Sequence, residues 1–293
     1  MNNHIEQIVN EAYGLYMPQV RQEITALAGM VLERYSFTKK SQSFNILEIG
    51  TKFGGTFFIW NKINTDGLNI SIDMSDGIHG GINEIDMNHR DAMFKDRFGN
   101  CHFIRGNSHE MDTHLELMRL FYPKFDDRQY VIDLMELGKF EGCIDVLFID
   151  GDHTYEGVKQ DFEMYSPFVK NGGLICFHDI NDTTRHRERN VFVSKFWQEI
   201  KLSYPIHSEI NANLDWAGIG VLVNLRREYT EPVIEELDGP EVMTVEEWAQ
   251  SVEDGLFGNY DGSGYWAKNG FMSRDGVFSS LPLDATHVVW YNK

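Results

Sequence analysis

The run Ile144 to Ile149 (IDVLFI) is almost continuously apolar and ends abruptly in Asp150, Gly151, Asp152 and His153. About two dozen residues later, Leu174 to Phe177 (LICF) is apolar throughout and ends in His178 and Asp179. Such runs suit parallel strands covered on both faces. The intervening length fits the helical crossover that parallel neighbours require. Adjacent strands lie about 4.8 Å apart, so the carboxyl edge brings Asp150 and Asp179 together. Ligands of open α/β sheets bind at that edge. Strand-end acids also cap helices or sit in solvated loops, and Asp152 alone reads better as a cap or turn residue of the helix starting near Tyr155.

The same alternation extends over residues 44 to 225. Strands are expected at Phe44–Ile49, Asn69–Asp73 and Cys101–Arg105, with further candidates at Ile206–Ile210 and Ile219–Leu225. Helices are expected at Thr56–Ile63, within 77–100, at Met111–Phe121 and at Val191–Leu202, and Leu134–Phe140 leads into the strand at Ile144. Asn181–Asn190 reads as a polar loop. Residues 4–35 carry a helical period broken at Pro18 and form an N-terminal cap, assigned 1–43. Strands and helices in this order predict a three-layer α/β/α sandwich. The pattern changes near residue 227: from Glu228 to Asp261 there is no Lys or Arg, and an aromatic, glycine-rich end follows. We read 44–227 as one domain and 228–293 as an acidic, aromatic appendage ending in short β-structure.

Composition narrows the functions. The net charge of −19 argues against a protein that grips nucleic acid through phosphates. Cys101, Cys143 and Cys176 lack metal-type spacing and read as small apolar residues of a reduced, cytoplasmic protein. No apolar run reaches transmembrane length, and the start MNNHIEQ is no signal peptide. Self-association into a homo-oligomer is compatible with all of this.

The first strand runs into EIGTKFGG, placing Glu48, Gly50, Gly54 and Gly55 at a strand-to-helix junction. Glycines there let backbone approach a ligand, although turn glycines explain the spacing equally well. The pattern is not the GxGxxG of pyrophosphate binders. Asp73 ends the next strand, where an acid commonly holds ribose hydroxyls.

Together EIGTKFGG, SIDMSDG, GNS, FIDGDHTYEGVKQDF and NGGLICFHD resemble class I S-adenosylmethionine-dependent methyltransferases, over roughly residues 44–225. The likeness is to the branch with cephalosporin-hydroxylase-like proteins and macrolide or aminocoumarin sugar O-methyltransferases. It implies a seven-stranded, mostly parallel sheet with a reversed last hairpin. Glu48, Gly50, Gly54 and Gly55 would then line the methionine and ribose part of S-adenosylmethionine, Asp73 the ribose diol, and Asn107 and Ser108 the adenine. Asp150 and Asp179 match positions holding a divalent metal, Mg²⁺ or another, and His153 matches the catalytic base. His178 stands where those enzymes more often carry Glu or Asp, leaving fewer anionic ligands for Mg²⁺. Ligand, orienting residue and strand-end filler remain open for it, and His153 could instead order its loop.

The implied reaction is metal-assisted O-methylation of a small hydroxylated, sugar-like acceptor, with His153 as base and Asp150 beside it. A cephalosporin-hydroxylase-like oxidoreductase and a non-catalytic cofactor-binding protein are the competing readings. The loop carrying Arg185, His186, Arg187 and Arg189 could meet an anionic acceptor such as a nucleotide sugar, or simply pair with nearby acids. The loop Ser75–Gly81, with His79, is placed to close over cofactor or acceptor. The last dozen residues, PLDATHVVWYNK, resemble the C-terminal ends of assorted tailed-phage proteins. That likeness implies a phage gene acting in the host cytoplasm.

Overall fold

The computed structural model describes residues 2–15, 17–36, 43–75, 81–122, 142–212 and 216–225, together with short strands at 241–244, 266–267, 270–271 and 287–290. The chain divides into two compact units, Met1–Arg226 and Arg227–Lys293. In the first, seven strands form one sheet: β1 (Ile46–Ile49), β2 (Asn69–Asp73), β3 (Cys101–Arg105), β4 (Ile144–Ile149), β5 (Val169–His178), β6 (His207–Ile210) and β7 (Ile219–Val223). Their order is β3-β2-β1-β4-β5-β7-β6. The pairs among β1 to β5 are parallel, whereas β7 runs antiparallel to both β5 and β6. This is the expected seven-stranded α/β sheet with its last hairpin reversed.

Helices cover both faces: α1 (Asn2–Tyr13), α2 (Arg21–Ser36), α3 (Gly55–Ile63), α4 (Glu84–Arg97), α5 (Met111–Phe121), α6 (Tyr155–Tyr165), α7 (Thr184–Glu188) and α8 (Val193–Ile200). The pleat sends alternate side chains of a strand to opposite faces. Ile46, Phe148, Cys176 and Val221 therefore join a core with Ile5, Leu27, Phe57, Trp60 and Phe94 of α1 to α4. Leu47, Leu147, Ile175 and Leu222 join the opposite core with Leu117, Phe162, Phe196 and Trp197 of α5, α6 and α8. Burying each large apolar side chain contributes about 1.5–3 kcal/mol. Trp197 packs against β7 where Gly220 leaves room: a Cβ there would meet the indole at 2.6 Å.

The N-terminal helices also reach the loop joining β6 and β7. Buried Glu23 accepts from the Ala212 amide at 2.9 Å through Oε1 and from the Gly218 amide at 3.0 Å through Oε2. The Pro18 break thus lies between two packed helices and turns the chain past the carboxyl edge of the sheet.

Two expected boundaries differ from the observed ones. β5 begins at Val169 instead of Leu174, because Val169 pairs with Ile144 and a register shift before Val146 absorbs the polar stretch between. Asn224 continues that pairing on the other side, donating to Gly173 O at 2.8 Å and accepting from the Gly172 amide at 2.6 Å. The segment read as a polar loop after β5 holds the short helix α7, capped by Thr183, whose hydroxyl accepts from the His186 amide at 3.1 Å. Leu134–Phe140 and most of the loop Ser75–Gly81 lie outside the described residues.

In the second unit β8 (Glu241–Thr244) pairs antiparallel with β11 (His287–Trp290), β11 with β9 (Trp266–Ala267), and β9 with β10 (Gly270–Phe271). None of the helices described is long and apolar enough to cross a membrane.

Candidate functional site

The carboxyl edges of β1, β2, β4 and β5 enclose a cavity of about 390 Å³, a size that suits a small-molecule site. The ladder carries each strand straight to its rim: the Gly50 amide donates to Ile72 O at 2.9 Å, the Asp150 amide to Ile49 O at 2.9 Å and the Gly106 amide to Asp73 O at 3.0 Å.

Of the expected cofactor residues, Gly50, Gly55, Asp73, Asn107 and Ser108 line this cavity, with Thr51, Ile72, Met74 and His109 around them. Gly50 has φ 89°, and a Cβ on it would stand 2.1 Å from the Asp150 carbonyl oxygen. The glycine lets β1 and β4 end side by side. Gly54 and Glu48 are not part of the lining. Gly54 (φ 90°) turns the chain against the Phe94 ring of α4. Glu48 shares the face of β1 that points into the core with Trp60 and is 1% exposed. Burial, and next the charges of Asp150 and Asp73, push its carboxyl well above the ordinary range.

Asp73 is already engaged. Its Oδ2 accepts from the Lys52 amide at 2.9 Å and from Arg90 Nη1 at 2.5 Å, and its Oδ1 from the Met74 amide at 3.0 Å. Arg90 also pairs with buried Asp91 at 2.9 Å, and Asp91 with Arg105 at 2.6 Å. This chain of charges pins the end of β2 to α4 and β3. Burial raises the Asp73 pKa and Arg90 opposes the rise; the net shift is upward. Opposite, His109 Nε2 lies 3.2 Å from Oδ1 of Asp161, which is 0% exposed. The Asp161 hydrogen bond raises the His109 pKa more than burial lowers it.

The lining also includes Asp150, His153, His178 and Asp179. Asp179 has φ 62°, a left-handed conformation uncommon outside glycine and characteristic of functional sites. Its Oδ2 lies 2.9 Å from His153 Nδ1, and its Oδ1 lies 3.3 Å from His178 Nδ1 and 3.4 Å from His186 Nε2. Asp150 Oδ1 lies 3.0 Å from His178 Nδ1 and 3.9 Å from His153 Nε2. Although burial works against it, the Asp179 carboxyl is held well below its usual range by His178, His153 and His186. Burial pushes the imidazoles of His153 and His178 down, but the two carboxylates outweigh it and both pKa values are raised. One donor atom from each of Asp150, His153 and Asp179 falls within 4.8 Å of the others, a grouping able to hold a metal ion.

Gln19 escaped the sequence reading, and His186 takes a different place from the one read. Gln19, from the turn between α1 and α2, donates through Nε2 to Asp150 Oδ2 at 2.7 Å and lines the cavity. Only the break at Pro18 signalled that turn. Buried His186 does not face outward with its basic neighbours: α7 turns it toward Asp179, and its Nδ1 contacts Asn181 O at 2.7 Å. Arg187 pairs with Asp182 at 2.6 Å, and Arg185 lies over the ring of Trp216, 4.7 Å from its centroid. Trp216 itself lines the cavity. Asp152 accepts from the Thr154 amide at 2.9 Å in a turn, while Thr154 caps α6.

Residues 47–180 match the model of a family described as a methyltransferase domain. A protein of Acanthamoeba polyphaga mimivirus is 54% identical over 39 residues, covering 13% of this chain and 18% of that protein. A structure described as a caffeoyl-CoA O-methyltransferase from Staphylococcus aureus superposes with TM-score 0.46 at 19% identity, over 74% of this chain and 91% of that one. The MycE methyltransferase of the mycinamycin biosynthetic pathway, in complex with Mg, S-adenosylhomocysteine and mycinamycin VI, gives TM-score 0.48 at 14% identity, over 77% and 56%. Residues 47–180 are thus a methyltransferase domain, set in the seven-stranded, mostly parallel sheet.

Proposed function

Starting from a methyltransferase domain, we propose that the chain transfers the methyl group of S-adenosylmethionine to a hydroxyl of a small, sugar-like acceptor, with His153 as general base. The observation that carries this reading is His153 Nδ1 at 2.9 Å from Asp179 Oδ2, on the wall of the cavity. A carboxylate accepting from Nδ1–H fixes the tautomer and leaves Nε2 as the basic nitrogen. That base must give up the proton its raised pKa favours before it can act.

The remaining roles follow the lining. Gly50, Gly55, Asp73, Asn107 and Ser108 hold the donor, and Glu48 and Gly54 support the loop from beneath. Asp150, His178 and Asp179 would hold a divalent ion; the facing carboxylates and imidazole suit one. Such an ion, when bound, lowers the pKa of a coordinated hydroxyl and positions it. Gln19 restrains one oxygen of Asp150, leaving the other turned toward the imidazoles. Trp216, with Arg185 over it, offers the flat surface on which a hydroxylated ring can rest. In-line displacement at a sulfonium needs this alignment, and orientation of reactants can supply about 7–11 kcal/mol of the barrier.

The test is incubation with methyl-labelled S-adenosylmethionine, a divalent ion and a panel of sugars, nucleotide sugars and phenols. The proposal expects label on an acceptor oxygen from the wild type and none from His153→Ala. Label on nitrogen or carbon would sink the O-transfer reading. A hydroxylated product without label would favour the oxidoreductase alternative.

A further inference from the structure

The metal-capable edge is not an all-oxygen cradle. His178 ends β5 with its ring on the cavity wall and is 4% exposed. Its Nδ1 stands 3.0 Å from Asp150 Oδ1 and 3.3 Å from Asp179 Oδ1, yet neither ring nitrogen makes a well-directed hydrogen bond among the described residues. Asp179 Oδ1 is buried and likewise lacks one. Short separation without hydrogen-bond alignment is what donors converging on a third body produce. Two ligands at right angles on an ion, each about 2.1 Å from it, stand about 3.0 Å apart. The other oxygen of each carboxylate is occupied elsewhere, Asp150 Oδ2 by Gln19 at 2.7 Å and Asp179 Oδ2 by His153 at 2.9 Å.

Resting on the metal-assisted reading above, we infer that His178 is a nitrogen ligand and makes this centre selective for a first-row transition ion such as Mn²⁺ over Mg²⁺. Mg²⁺ is a hard ion that prefers oxygen and sheds water reluctantly. Imidazole favours transition ions, whose affinities climb along the Irving–Williams order. A carboxylate at position 178 would give three oxygens. The imidazole removes one anionic donor, weakening the hold on Mg²⁺, and offers a softer one. His153, although its ring also falls within reach of both carboxylates, is assigned to proton transfer through Nε2 because Asp179 holds its Nδ1.

Mn²⁺ is the probe, titrated by electron paramagnetic resonance with Mg²⁺ as competitor. The bound ion is then examined for coupling to ¹⁴N, and S-adenosylmethionine binding is followed calorimetrically in the same samples. The expected result is binding of Mn²⁺ at least about tenfold tighter than Mg²⁺, with nitrogen coupling in the wild type and in His153→Ala. His178→Glu should lose the coupling and narrow or reverse the preference. Coupling that is absent in the wild type, lost in His153→Ala or retained in His178→Glu overturns the assignment. So does competition by Mg²⁺ at equal concentration, or no ion bound at all. If His178→Glu does not fold, the wild type and His153→Ala decide the question. Retained S-adenosylmethionine binding in any of these outcomes confines the failure to the ion, and its loss from the wild type is what would fail the methyltransferase reading.

Discussion

His153 Nδ1 lies 2.9 Å from Asp179 Oδ2, joining the loop after β4 to the left-handed residue that ends β5. Neither residue could make this contact from a different register, since β4 and β5 pair in parallel up to Ile149 and Phe177. If the contact orients a base, His153→Ala lowers turnover by about 10²–10⁴-fold and leaves S-adenosylmethionine affinity unchanged. Turnover near the wild-type level would remove His153 from the chemistry.

Arg90 and Asp73 form a buried pair at 2.5 Å, with side chains 3% and 9% exposed. Removing one partner strands the other, so Arg90→Ala should destabilise the protein by about 3–5 kcal/mol in urea unfolding. The double variant Arg90→Ala, Asp73→Asn should recover part of that loss. A single-variant effect below about 1 kcal/mol would mean that the pair is no better than a surface contact.

His109 provides the pH dependence away from the carboxylate–imidazole cluster. Its pKa is raised by Asp161 above the ordinary value, so its contribution is fully present below about pH 6.5 and is lost as pH rises through the folded value. Wild-type stability should fall from about pH 6.5 upward relative to His109→Gln. Parallel stability curves for the two proteins over that range would contradict the shift.

Gly50 combines φ 89° with a Cβ position 2.1 Å from the Asp150 carbonyl. Left-handed strain and overpacking together predict that Gly50→Ala costs about 2–5 kcal/mol and parts the two strand ends. Thermal melting with and without S-adenosylmethionine checks both. A wild-type melting temperature in the variant would refute the close approach.

The sheet was legible because its strands are short runs rich in buried apolar residues: Ile144–Ile149 and Asn69–Asp73 emerge with the bounds read from the sequence. Their polar ends placed Asp73, Asp150, His153, His178 and Asp179 in the lining of one cavity. The start of β5 was not legible, since Lys170, Asn171, Gly172 and Gly173 carry no apolar signal and join through a register shift. The five-residue helix α7 is too short to show a period, so the inward turn of His186 toward Asp179 could not be read either. Glu48 resembled a ligand residue by its place beside the glycines. The two-residue alternation of β1 explains why it faces Trp60 in the core.

The central claim is that the cavity at the ends of β1, β2 and β4 takes S-adenosylmethionine. Calorimetric titration of the full chain with S-adenosylmethionine, in chelator and again with Mn²⁺ or Mg²⁺, tests it most directly. The account predicts one molecule bound per chain, with affinity weakened by Asp73→Ala. Absence of binding under all of these conditions would contradict it.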